Sequence, residues 1–148
     1  MSNFKAIADN IRTADILLVR MKDTLFAAQG FWEHAYIWNG KKLVGVHGEW
    51  KLTGIMKDPA DVGLFRVVYN LDEEEKKVLH KALRYCAFFR QWWPARLWRW
   101  LTGKDKVFTN SELIARAFNK IDRRFNDNPV CEMTPSDFDK SGITVRIA

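Results

Sequence analysis

His34-Ala35-Tyr36-Ile37-Trp38-Asn39-Gly40-Lys41-Lys42-Leu43-Val44-Gly45-Val46 carries the clearest structural signal in the chain. Two apolar-rich segments, 34–38 and 42–46, flank Asn39-Gly40, a dipeptide that supplies the positive φ angles of a tight turn. The stretch reads as a β-hairpin. Upstream, Ile16-Leu17-Leu18-Val19 is a compact apolar run that fits a buried strand, and residues 2–12 read as a short helix or arm. Residues 22–32 are ambiguous, with Gly30 ending the segment. Downstream, 50–55 reads as a further short strand, 57–61 as a loop and 64–69 as another strand.

Helical signals dominate the second half. Asn70-Leu71-Asp72-Glu73-Glu74-Glu75 opens a helix, its acids complementing the positive end of the helix dipole. Spacing of three and four residues carries this helix to Arg90 and buries Val78, Leu79, Leu83, Cys86 and Ala87. Pro94 breaks or restarts it, and 95–101 form a second, tryptophan-rich piece. Residues 109–125 read as a helix with Leu113, Ile114, Ala117, Phe118 and Ile121 on one face. Thr134 starts another, with Pro135 at its first position, and Gly142 releases the chain into a last strand at 143–147. Strands first and helices second make this an α+β chain. Its 148 residues form a single domain, 1–148, with 1–12 as an N-terminal arm or helix.

Composition bounds the function classes. Apolar residues make up 47% and charged residues 28%, a globular balance. Seven tryptophans and ten phenylalanines place aromatic rings in the core or at an interface. No run approaches the ~18–20 apolar residues of a membrane span. The N-terminus lacks an apolar signal core, so cytoplasmic synthesis and residence are the expectation. Cys86 and Cys131 are too few for a disulfide framework or zinc site. Three scattered histidines without a carboxylate cluster suggest neither a metal nor a cofactor.

The net charge of +6 is uneven. From Lys76 to Lys104 there is no acidic residue, while Lys76, Lys77, Lys81, Arg84, Arg90, Arg96, Arg99 and Lys104 are basic. An anionic partner (phosphate, acidic protein or cell-wall polymer) and a merely solvated helix face both account for this. Within the run, Arg90, Trp92, Trp93, Arg96, Trp98, Arg99 and Trp100 suit an interface hot spot, because Trp and Arg combine contact area with directional bonding. A protein partner or oligomer is the leading reading. Completion of the core by the tryptophans comes next, and nucleic acid comes third, since no recognition motif accompanies the charge.

Four blocks, in order, carry a family resemblance. Thr13-Ala14-Asp15-Ile16-Leu17-Leu18-Val19-Arg20 resembles a "GDILLVR" strand, with Ala14 where Gly is usual. Trp32–Val44 resembles a "SHVGIYL" strand and the "DGKVIEA" hairpin that follows it. Asn110-Ser111-Glu112-Leu113-Ile114 resembles "CSELV" at a helix head, and Met133–Phe138 resembles a closing "TPxDL". Together they resemble the circularly permuted papain-like hydrolases related to the NlpC amidases, of the YiiX/YebB-like kind. The resemblance implies a small antiparallel sheet packed on helices. It also implies a cysteine nucleophile at a helix N-terminus, where the dipole favours thiolate, and a strand-borne histidine base.

By that resemblance His34 falls on the base position and Asn110 on the nucleophile position. An amide supplies no thiolate. The third, orienting position falls at Gly45 or Val46, with His47 just beyond. A structural account of the same helix start is complete without catalysis, because Thr109-x-x-Glu112 is a capping box. Ser111 projects about 100° from its neighbour, and Cys131 is a better thiol candidate than Cys86. The expectation is a catalytically silent papain-like domain serving as a structural or binding component. The resemblance implies a phage tail or virion, or a cell-wall-associated assembly, with peptidoglycan as a ligand. The alternative is an active amidase or peptidase cleaving peptidoglycan peptide or acyl-amide bonds through a non-standard nucleophile.

Overall fold

The apolar run Ile16–Val19 lies in the first strand, β1 (Ile16–Met21), whose first four residues are all buried. A computed structural model describes residues 2–22, 31–46, 48–57, 59–91 and 109–148, with Pro94, Leu97 and Leu101. Five further strands follow: β2 (His34–Trp38), β3 (Leu43–Gly45), β4 (Gly48–Trp50), β5 (Pro59–Val67) and β6 (Thr144–Arg146). They form one open sheet of order β4-β3-β2-β1-β5-β6, with every neighbouring pair antiparallel. The described helices are α1 (Ser2–Asn10), α2 (Leu52–Ile55), α3 (Glu73–Gln91), α4 (Asn110–Asn119) and α5 (Pro135–Lys140). The α+β class expected from the sequence is what the chain adopts.

Strand alternation divides the core in two. One face carries Ile16, Leu18, Ala35, Ile37, Val44, Phe65 and Val67. Leu79 and Leu83 of α3, Leu113, Ile114, Ala117 and Phe118 of α4, and Phe138 of α5 cover it. The opposite face carries Leu17, Val19, Leu43, Val62 and Leu64, covered by Ile7 of α1 and by Leu52, Ile55 and Met56 at α2. β1 is thus covered on both faces, which is why it reads as a continuous apolar run rather than an alternating one.

The hairpin forms where expected, with Ile37 opposite Val44 and Trp38 opposite Leu43. Its connection is broader than a two-residue turn. The Asn39 N–H donates to the Lys42 carbonyl, Asn39 Oδ1 accepts from the N–H groups of Lys41 and Lys42, and Gly40 sits at φ 97°.

Four local expectations are corrected. Residues 50–55 are not a strand: β4 ends at Trp50 and 52–55 form the helical turn α2. Leu52, Ile55 and Met56, spaced three and four apart, were the signal for it. The supposed loop at 57–61 contains the start of β5, since proline is tolerated as a strand's first residue and Pro59 occupies that place. Val78 is 42% exposed, because the buried stripe of α3 runs through Leu79 and Leu83. Finally, α4 ends at Asn119 rather than at 125. Asp122 takes φ 57° and the Arg123 N–H turns back to the Phe118 carbonyl.

Candidate functional site

Asn110, which the resemblance aligns with a nucleophile, opens α4. Thr109 is the N-cap, and its hydroxyl accepts the Glu112 N–H at 3.1 Å. The Glu112 carboxylate does not reach back to complete the expected box. It is almost fully buried and pairs with Arg116, one turn on, at 2.6 Å. Asn110 therefore opens a helix whose cap needs nothing from it.

Its side chain is nevertheless committed. Asn110 Oδ1 accepts the Val46 N–H at 2.7 Å, across 64 residues of sequence. The described β2–β3 register ends at Ile37 and Val44, and the amide oxygen takes up the Val46 donor just beyond β3. The fit depends on Gly45. A Cβ there would stand 2.8 Å from Asn110 Oδ1, closer than Cβ atoms approach, and 3.0 Å from its Cγ and Nδ2, tighter than most such contacts. An absent side chain on β3 and an amide on α4 thus form a two-part joint, at the positions that the resemblance aligns with nucleophile and orienting residue.

His34 is not part of that joint. It opens β2 opposite Val19, and cross-strand partners project to the same face. Val19 belongs to the face covered by α1 and α2. The side chains of β2 that meet α4 are Ala35 and Ile37. His34 is exposed and stacks at a tilt near Tyr36, with ring centroids 6.3 Å apart. No hydrogen bond links it to Asn110 among the described residues. His34 and Asn110 therefore lie on opposite sides of the sheet.

The remaining candidates divide as follows. His47 lies outside the described residues, as do Trp92, Trp93, Arg96, Trp98, Arg99 and Trp100 of the proposed binding segment; the side chain of Arg90 does too. The same holds for the side chains of Cys86 and Cys131. Ser111 is buried at 1% exposure. Among the described residues no cluster of His, Cys, Asp or Glu could hold a metal ion, and no helix is long and apolar enough to cross a membrane.

One charged site escaped the sequence reading. Asp15, 1% exposed, takes a two-pronged bond from Arg66 of β5, Nε to Oδ1 at 2.8 Å and Nη2 to Oδ2 at 2.7 Å. Its Oδ2 also accepts the Arg12 N–H at 2.8 Å. That bonding and the carboxylate charge hold the Arg66 guanidinium above its ordinary pKa, against the opposing effect of burial. Both carboxylate oxygens are occupied, so the pair is a structural clamp rather than an acid–base centre. Nothing in the local pattern names Arg66 as partner.

Comparison with protein-family models, curated proteins and solved structures finds no match to this chain.

Proposed function

We propose that this chain is a circularly permuted papain-like domain without catalysis, working as a structural or binding component of a larger assembly. The observation that carries the reading is the Asn110–Val46 bond, because it assigns the residue at the nucleophile position a structural task. Three features support the fold part. The head of α4 abuts the end of the β2–β3 hairpin, the adjacency of helix and hairpin that the resemblance implies. Ala14 sits at φ 74°, the region that favours glycine, where the resembling motif has Gly. Thr134 starts α5, its N–H and hydroxyl both donating to Asp137 Oδ2, at the closing block of the resemblance. A virion or cell-wall-associated setting follows from the resemblance alone.

The test is hydrolysis of peptidoglycan fragments by the unaltered chain, by Asn110→Cys and by Asn110→Cys/His34→Ala. No turnover by any of the three is expected, together with a lower denaturation midpoint for Asn110→Cys, since thiol sulfur is a weak acceptor for the Val46 N–H. Turnover by the unaltered chain would overturn the proposal. Turnover by Asn110→Cys that His34→Ala abolishes would restore His34 as a base and refute its exclusion from the site.

A further inference from the structure

Helix α3 turns two surfaces to its surroundings. Leu79 and Leu83 enter the core. On the flank beside that stripe stand Lys76, Lys77, His80, Lys81 and Arg84, confined to an arc of roughly 140° by the helical repeat. They form one wall of a cleft. Thr13, just before β1, and Asn39, at the turn between β2 and β3, also line it. The cleft is broad and open to solvent, with a volume of about 830 Å³, within the range of roughly 300–1,000 Å³ seen for small-molecule sites.

Its charge is not neutralised from within. Glu73 is the only acid in the described lining, and it bonds Lys76 at 2.8 Å, while Glu74 holds Lys77 at 2.7 Å from outside. Both carboxylates are about four-fifths exposed, at 81% and 79%, and surface pairs of this kind are weak and readily exchanged. Lys81 and Arg84 have no acidic partner among the described residues. Lys77 and Lys81 are four apart, Lys81 and Arg84 three apart, spacings at which like charges on a helix repel. Core packing through Leu79 and Leu83 does not require that repulsion, whereas a bound anion converts it into attraction.

We propose that this cleft binds a small phosphorylated ligand, with its phosphates held by Lys77, Lys81 and Arg84 and its remainder facing Thr13 and Asn39. Arginine grips phosphate through paired N–H bonds, and lysine contributes a mobile point charge. The helix from Lys77 to Arg84 spans only about 10 Å at the α-helical rise, short for a polymer track. The inference does not depend on the chain's being catalytically silent.

Inorganic diphosphate is the probe. Calorimetric titration of the whole chain at low salt should show saturable binding, and the backbone amide signals of Thr13 and Asn39 should shift as the site fills. Lys81→Gln/Arg84→Gln, at exposed positions, should weaken binding by about tenfold or more, as expected for loss of two charge-assisted contacts. Lys5→Gln/Lys120→Gln removes the same charge outside the cleft lining and should leave binding within about twofold, since distant exposed charges are screened. Absence of saturable binding, an equal loss in the control pair, or tighter binding of a thymidine oligonucleotide than of diphosphate would each overturn the proposal.

Discussion

Asn110 and Gly45 are coupled in a way that single substitutions alone would misread. Asn110→Ala strands the Val46 N–H, and an unsatisfied donor of this kind costs about 1–3 kcal/mol. Gly45→Ala drives a methyl group into the amide, with a similar penalty of about 1–3 kcal/mol for overpacking. In the double variant the amide is gone, so the clash should largely vanish and the two losses should add to less than their sum. Urea unfolding of the four proteins measures this, and strict additivity would mean that the joint is not formed. Tyr36 makes a second residue-scale case. Burial raises its pKa above the ordinary 10.0, so the folded state holds the phenolic proton more tightly than the unfolded chain. The associated stability is complete below the unfolded value and is lost as pH rises through the folded one. Tyr36→Phe should therefore flatten the alkaline decline, measured as denaturant midpoints on either side of the ordinary tyrosine value.

At the scale of elements, α3 and α4 begin differently despite similar signals. Asp72 and Glu75 form a reciprocal box at α3: Asp72 Oδ1 accepts the Glu75 N–H at 2.7 Å and Glu75 Oε2 accepts the Asp72 N–H at 3.0 Å. At α4 only the Thr109 half forms, because Glu112 is drawn to Arg116. Asp72→Ala and Thr109→Ala should each cost about 1 kcal/mol. Glu75→Ala should cost more than Glu112→Gln costs the cap of α4, since Glu75 also meets Arg123 at 3.1 Å. Hydrogen exchange in the first turn of each helix separates the cases. The Thr109 cap was read from the sequence as Thr followed three residues later by Glu; the box at α3 has the same spacing with Asp72, and which one closes depends on what else its glutamate can reach.

For the whole molecule, the Asp15–Arg66 clamp ties the segment between α1 and β1 to β5, and Arg66 Nη2 also bonds the Asn10 carbonyl at 2.8 Å. Asp15→Ala leaves a half-buried guanidinium without its partner and should cost about 3 kcal/mol. Asp15→Ala/Arg66→Met should recover part of this, because no uncompensated charge remains. Thermal unfolding at neutral pH provides the comparison, and a double variant as weak as Asp15→Ala would contradict the clamp. The central strand, the hairpin, Leu79 and Leu83 on α3, the inward stripe of α4 and the α+β class were legible in the sequence, because each depends on neighbours within a turn or a few residues; Val78 was not, because which flank of α3 faces solvent is set by packing. The face from which His34 projects, the partner of Asn110 and the meeting of Thr13 and Asn39 with α3 at one cleft were decided only in the tertiary structure. A strand's side chains alternate with a period of two, so an offset of one residue moves His34 from one face of the sheet to the other. That offset is set by pairing with β1 and by the helices packed on the sheet, contacts that no local pattern encodes.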